Sequence, residues 1–570
     1  MRWFFKELQN ESGSEGVIAS GTGLSSLSSR ILLSRGFKPG DALEKFLSPS
    51  LSMLSDPFDI DGIQKASRRI LSAARSKEKI CVYGDYDADG ITAASILLRL
   101  FRSGNLDCFA YIPNRFDEGY GINIHAVNEI LLSGCTLIVS VDCGIKAFEP
   151  ARYLKEKKID LIITDHHEPS DNIPESYCLI NPKVQYKTGD MRNLSGAGIA
   201  FKLAHGIVKL ARTNNDTFAD FDLKELLDLT AVGTIADIVP LIGENRIFVK
   251  NGLSRIGNTS NEGLKSLVNT LSLKPPFRTY DISFRIGPVI NAAGRIEDAN
   301  KCVELLTSED TDSTEKIAKT LVLHNVSRQN TEAGIVGSAV KMIDRLKDKN
   351  QLNKLIILED KDWSTGIIGI AASKLAKIYN RPVIIFGFEK GMWKGSGRSI
   401  EKFNLIREIE KFAGLIDSYG GHEMAAGLSI KPENFESFKR EFETRVNKVI
   451  NEDDLIPVLN ISALAELTEI NHVFLDEITR LEPFGQGNPE PVLATLDAKV
   501  ATDPQIVGGK HIKFNVGKDG YALNCIAFDK AEELGEVRRG ALLDIAYKVK
   551  ENNYMSKKQP QLVLQDVKLK

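Results

Sequence analysis

An aspartate followed by two histidines, Asp165-His166-His167, closes an apolar run at residues 160–163, and Asp142-Cys143-Gly144 closes another at 137–141. A third run, 79–83, leads into Gly84-Asp85-Tyr86-Asp87-Ala88-Asp89-Gly90. Carboxylates with one or two imidazoles suit Mn²⁺ or Mg²⁺ and are a poor match for structural zinc. Two such ions about 4 Å apart activate a water and hold both the attacking and the leaving oxygen of a phosphoryl displacement. Asp142 reads as the bridging ligand, with Asp87 and Asp89 on one side, His166 on the other and Asp85 as a further candidate. Taken singly, an acidic turn is more often a solvated or calcium-binding loop, and an aspartate at a strand end more often a helix cap. Three acidic strand ends within one domain are much harder to obtain by accident.

These residues meet only if their strands are parallel neighbours, because open parallel sheets bind ligands beyond the strands' C-terminal ends. The expected fold class is therefore α/β. Good helix formers with apolar residues at helical spacing predict a helix at 91–100, directly after the acidic turn. Strand and helix signals then alternate to about Leu241, as in a doubly wound domain. Residues 308–349 are charged and helical, and predict a long connector. A second α/β region follows, with strands at 354–358 and 382–386 around a helix at 369–378. Short alternating segments at 492–500, 511–516, 522–528 and 542–549 predict a small β-barrel or sandwich. The expected organisation is a helical segment at 1–58, an α/β domain at 59–305, a connecting helix at 306–350, a second α/β domain at 351–450 and a barrel domain at 451–570. The first segment carries no functional signal.

With 570 residues the chain exceeds a single core and suggests about three to five domains. A net charge of −3 provides no global basic field, so a nucleic acid would have to be met by a local basic groove. Seven cysteines without C-x-x-C spacing point to free thiols in a reducing cytoplasm. The N-terminus lacks the apolar core of a signal peptide, and no stretch reaches membrane-spanning length, so a cytosolic protein without a membrane partner is expected. No sustained apolar heptads compel a dimer, and a monomer is expected.

Four motifs together resemble those of the DHH phosphoesterase superfamily: Asp85-Tyr86-Asp87-Ala88-Asp89-Gly90, Asp142-Cys143-Gly144, Asp165-His166-His167 and Ala236-Asp237-Ile238-Val239-Pro240-Leu241. The resemblance implies that Asp237 completes the ligand set and that His167 faces the scissile phosphate. It also marks Tyr83 as a position where some members carry a histidine. Gly420-Gly421-His422 is similar to the signature of the superfamily's second domain, DHHA1. In that domain Gly395-Ser396-Gly397-Arg398-Ser399, on its own a plain turn, offers amides, hydroxyls and a guanidinium for a phosphate. Asn114-Arg115-Phe116 and Asn291-Ala292-Ala293-Gly294-Arg295 each place an arginine in an expected turn.

Together with Leu481-Glu482-Pro483-Phe484-Gly485-Gln486-Gly487-Asn488-Pro489 and the terminal β domain, these features resemble the members that degrade single-stranded DNA from the 5′ end in repair and recombination. That resemblance implies an OB-like barrel, catalysis by Asp142, His166 and His167, and substrate binding by Arg115, Arg295, Ser396, Gly397, Arg398, Gly421 and His422. It also implies two Mn²⁺ or Mg²⁺ ions. A helicase and a single-strand-binding protein are candidate partners. In the barrel, Phe514, Tyr521, Phe528 and Tyr547 are candidate stacking residues, with Lys510, Lys513 and Lys518 nearby. The alternatives are a phosphodiesterase of short oligonucleotides, cyclic dinucleotides or pyrophosphate, which needs no barrel, and a non-catalytic replication scaffold, which needs no intact acids. A dinucleotide-binding fold wants a glycine-rich loop where this chain puts carboxylates.

Overall fold

The computed structural model describes residues 1–5, 14–114, 118–296, 298–349, 352–554 and 557–570. The chain divides into two compact units, Met1–Phe4 with Leu323–Leu459, and Phe5–Val322 with Asn460–Lys570. The 38-residue helix Thr311–Asp348 carries the chain across the division. Among the described residues no helix is long and apolar enough to cross a membrane.

In the larger unit, a five-stranded parallel sheet has the spatial order Cys108–Tyr111, Ile80–Gly84, Leu137–Val141, Asp160–Thr164, Cys178–Ile180. Its inner strands read as unbroken apolar runs because both faces are covered. Val82, Val139 and Ile162 pack under the helices Ile63–Ser76, Ala88–Ser103 and Gly196–Asn214, while Tyr83, Ile138 and Ile163 face Ile124–Leu132 and Phe148–Glu156. Leu137–Val141 is the middle strand, so Asp142 emerges at the centre of the rim.

The same unit contains a closed barrel. Strand Leu493–Val500 pairs on one side with Leu542–Tyr554 and on the other with His511–Lys518. Lys557–Leu569 and Tyr521–Ala527 complete the ring. Lys557–Leu569 was not singled out from the sequence, although it is among the longest strands of the barrel. Two of the expected base-stacking residues are corrected here. Phe514 and Tyr547 point inward and are buried, the Tyr547 hydroxyl lying 2.8 Å from Thr495 Oγ1, because alternation puts every second side chain into the barrel core. Tyr521 is partly buried, and Phe528 is exposed. Lys510 and Lys518 are paired with Asp529 and Glu466.

The N-terminal helices Ser26–Ser34 and Asp41–Leu47 share the barrel's core through Ile31, Leu32 and Phe46. Arg246, 2% exposed, ties these pieces to the α/β domain. Its Nε donates to the Phe46 carbonyl at 2.8 Å, and its Nη2 to those of Glu482 (2.8 Å) and Leu481 (3.2 Å). The guanidinium also lies 3.9 Å above the Phe46 ring. Burial pulls its pKa down, and the carbonyl oxygens and the Phe46 ring hold the charge in place. Arg246→Met removes these donations, although the Leu481 carbonyl still accepts from Asn488 Nδ2 at 2.9 Å, and is expected to cost about 3–5 kcal/mol. Calorimetry should then show an early melting transition, whereas an unchanged profile would mean that the carbonyls do not need the guanidinium.

In the smaller unit, five strands run in the order Ser418–His422, Ala425–Ile430, Met392–Arg398, Val383–Glu389, Ile356–Glu359, antiparallel except for the last pair. Residues 395–398, read as a turn from their Gly/Ser content, form the end of a central strand. Cβ atoms at Gly395 and Gly397 would lie 2.8 Å from Leu428 and 2.6 Å from Leu405, so the glycines mark close packing over the sheet.

Candidate metal centre

The acidic turn after Ile80–Gly84 runs directly into helix Ala88–Ser103. Asp87 is its N-cap, with Oδ1 accepting from the amides of Asp89 (2.9 Å) and Gly90 (3.1 Å). A Cβ at Gly90 would stand 2.6 Å from the Asp85 carbonyl, so the turn closes only around glycine. Asp89 is buried, and its carboxylate accepts from the amides of Gly196 (2.6 Å) and Ala197 (2.9 Å) at the N-terminus of helix Gly196–Asn214. Asp142 holds a left-handed backbone, φ 60°, a conformation that non-glycine residues adopt chiefly at turns and constrained sites.

His166 Nε2 lies 3.0 Å from Asp142 Oδ1, 3.5 Å from Asp237 Oδ2 and 3.9 Å from Asp89 Oδ2. Ligand atoms of Asp89, His166 and Asp237 form one group within 4.8 Å of one another, those of Asp85, Asp87 and Asp142 a second, and those of Asp142, His166 and His167 a third. All six carboxylate and imidazole ligands expected from the sequence and the resemblance therefore converge, with Asp142 shared by the second and third groups and His166 by the first and third. Asp237 follows helix Leu227–Ala236 as its C-cap.

The electrostatics fit a cation. Burial, then Asp87, raises Asp89 to about 7. Burial, then Asp89 and Asp87, raises Asp237 to about 9, and the same causes push Asp142 well above the carboxylate range. Burial and His167 lower His166 to about 3, leaving it neutral as a metal ligand must be. Asp142 Oδ1 and His166 Nε2 are buried without a hydrogen-bond partner among the described residues. Orphaned donors of this kind, mostly hard oxygens with one imidazole, fit Mn²⁺ or Mg²⁺.

Asp165 does different work from its neighbours. It accepts from the amides of Ile145, His166 and His167, and lies 2.8 Å from His167 Nδ1. Burial is the largest single influence and opposes ionisation of both partners, but their hydrogen bond and the attraction between their charges together outweigh it, lowering Asp165 and raising His167. Sequence reasoning missed this organising role, and missed the Gly196 and Ala197 amides under Asp89. It also placed Asn291 in a turn. Residues 287–296 are helical, Asn291 Oδ1 accepts from Ala88 N at 2.8 Å, and a Cβ at Gly294 would stand 2.7 Å from the Tyr86 carbonyl. The helix is thus clasped to the acidic turn. Tyr83 donates its hydroxyl to the Gly121 carbonyl at 2.9 Å and lies outside the ligand groups.

Of the expected phosphate-binding residues, Arg115 and the side chain of Arg295 lie outside the described residues. In the smaller unit, Gly421 and His422 face Ala426 and Ala425, which face Gly397 and Arg398 on the next strand. Arg398 Nε donates to Ser373 Oγ at 2.9 Å, and its Nη1 to the Gly397 carbonyl at 2.8 Å. A Cβ at Gly369, beside the start of helix Ile368–Tyr379, would lie 2.8 Å from Ser396 Oγ and 3.3 Å from Arg398 Nη2. A hydroxyl, a guanidinium and a helix N-terminus therefore converge, the set that binds a phosphate.

A parallel sheet that gathers this carboxylate–imidazole cluster at its rim defines a divalent-metal phosphoesterase of the DHH type. The model of the DHH family, N-terminal domain, matches residues 79–234, that of the DHHA1 domain 352–448, and that of the RecJ OB domain 461–566. The single-stranded-DNA-specific exonuclease RecJ of Bacillus subtilis is 35% identical over 94% of this chain and 67% of its own. That of Haemophilus influenzae is 32% identical over 91% and 93%. The crystal structure of Thermus thermophilus RecJ with Mn²⁺ superposes with a TM-score of 0.84 at 27% identity, covering 100% of this chain and 79% of that one. The Mg²⁺ complex gives 0.78 at 25% identity, covering 99% and 78%. This chain belongs to the RecJ family.

Proposed function

We propose that the protein is a metal-dependent exonuclease that hydrolyses single-stranded DNA from the 5′ end, acting in DNA repair and recombination. The observation that carries this reading is the convergence of Asp85, Asp87, Asp89, Asp142, His166 and Asp237 into overlapping ligand groups in a chain of the RecJ family. These residues would hold two Mn²⁺ or Mg²⁺ ions, Asp142 belonging to two of the ligand groups. The ions, when bound, supply an activated water and offset the charge on the phosphate oxygens. Asp165 fixes Nδ1 of His167, so that Nε2 is the nitrogen offered to the phosphate and its leaving group. The family resemblance assigns phosphate binding to Arg398, Ser396, Gly397, Gly421 and His422 in the smaller unit and to Arg115 and Arg295 in the larger, and capture of a 5′-terminal phosphate by such groups would set polarity.

The seven cysteines are all free thiols, in keeping with a reducing cytoplasm. A helicase that exposes single strands and a single-strand-binding protein that covers them are the partners this activity calls for, and a monomer suffices for it.

The test is incubation with Mn²⁺ of a long single strand labelled at either end, a matching blunt duplex and a dinucleotide. Early loss of the 5′ label, from single strands only, is the expected result. Turnover of the dinucleotide alone would replace the reading with a small-substrate phosphodiesterase, and binding without turnover would replace it with a scaffold.

A further inference from the structure

Tyr280 and Phe284 stack on each other with ring centroids 4.8 Å apart and planes 30° from parallel, yet each is 62% exposed. They sit at the start of the helical stretch that ends at the metal centre, on Thr279–Asp281 and the π-helical turn Ile282–Ile286. Ile282 and Ile286 are buried beneath them, and a Cβ at Gly287 would lie 3.5 Å from that of Ala236, the residue before Asp237. Seven residues on, Asn291 bonds Ala88 between Asp87 and Asp89. Seven residues of helix span about 10 Å, or about three stacked nucleotide steps of 3.4 Å.

Ile238, directly after Asp237, belongs to the same rim. It is 69% exposed and holds φ 59°, a conformation that a β-branched residue rarely adopts. Beside the pair, a hollow of about 850 Å³ is lined by Lys250, Pro276, Arg278, Phe484 and Lys550 among others. Solvent-facing aromatics at this separation from a phosphate-hydrolysing centre suit nucleobases, since every base has a face to stack and a stacking platform tolerates any sequence.

We propose that Tyr280 and Phe284 form a base-stacking platform for single-stranded DNA, engaging bases about three nucleotides beyond the phosphate held at the metal centre. The proposal rests on the exonuclease reading for its substrate and adds a subsite to it. Stacking worth about 1–3 kcal/mol per base corresponds to roughly 5- to 150-fold in affinity.

The test uses the full chain and the double variant Tyr280→Ala/Phe284→Ala. With Mn²⁺, KM for a ten-nucleotide strand is expected to rise within that range while kcat changes little, and the defect should shrink as the oligonucleotide shortens. An abasic residue at the third or fourth position should bring the parent down towards the variant while leaving the variant's own KM almost unchanged, and Phe284→Trp should restore KM. Without hydrolysis, in EDTA, 2-aminopurine at the third position should be quenched by the parent and not by the double variant. Equal KM values, an abasic penalty of the same size in both proteins, or equal quenching would overturn the platform. If the parent failed to degrade single strands but the quenching difference remained, the exonuclease reading would fall and the platform would stand.

Discussion

Asp142→Asn is expected to lower the rate of single-strand hydrolysis by roughly 10³-fold or more, about 4 kcal/mol of lost transition-state stabilisation, while leaving the protein folded. Asparagine tolerates the left-handed backbone that position 142 requires, so the strand end keeps its shape and only the bridging charge is lost. Isothermal titration with Mn²⁺ should show the same loss in metal uptake. The metal-free protein should respond in the opposite sense. Burial and the neighbouring Asp89, Asp87 and Asp237 carboxylates hold Asp142 far above its ordinary pKa, so folding without metal must put a proton on it, a cost that asparagine does not carry, and the substitution should raise Tm.

Carboxyls raised in the folded state impose no penalty below the unfolded value of about 4. From there the penalty grows with pH until about 7 for Asp89 and about 9 for Asp237, above which it is constant. Metal-free protein should therefore melt at a lower temperature at pH 8.5 than at pH 6. Mn²⁺ should reverse the difference, and the pH dependence should weaken in Asp142→Asn. Full Mn²⁺ uptake by that variant, or a metal-free Tm that its substitution lowers, would remove Asp142 from the centre of the site.

Gly196→Ala is expected to cost about 10²-fold in kcat, although it deletes no functional group. The added Cβ would stand 2.7 Å from Cβ, Cγ and Oδ1 of Asp142, all of them buried, so the carboxylate or the helix must shift. The helix start cannot retreat freely, because the Gly196 amide is bonded to Asp89, the ligand on the other side. A displacement approaching 1 Å at a reacting centre is enough for a loss of that size. By helix propensity alone the substitution is favourable by about 0.5–1 kcal/mol, so stability should fall much less than activity. Steady-state kinetics at saturating Mn²⁺ beside thermal melting would separate the two, and unchanged kcat would show that the ligand cage yields at no cost.

The sequence alone determined that three strands end in acids and imidazoles at one rim, because a parallel sheet lines up its C-terminal edges and buried strands advertise themselves as apolar runs. Alternation likewise marked most of the barrel strands. Tertiary structure alone decided what those local patterns are silent about. Gly196 and Ala197 reach Asp89 across more than a hundred residues, and no period in the sequence links them. Asp165 had no role assignable from the sequence, and the fold fills its carboxylate with three amides and the His167 ring. Residues 395–398 looked like a turn because glycine and serine favour turns, yet neighbouring side chains over the sheet made glycine the only residue that fits. Phe514 and Tyr547 could have faced either way, and closure of the barrel turned them inward. The N-terminal helices found their partner in a core built from the other end of the chain. Local sequence sets which element forms, through propensity and period. Which amide caps which carboxylate, and which face of a strand stays dry, is set by contacts between distant segments, and these exist only once the chain has folded.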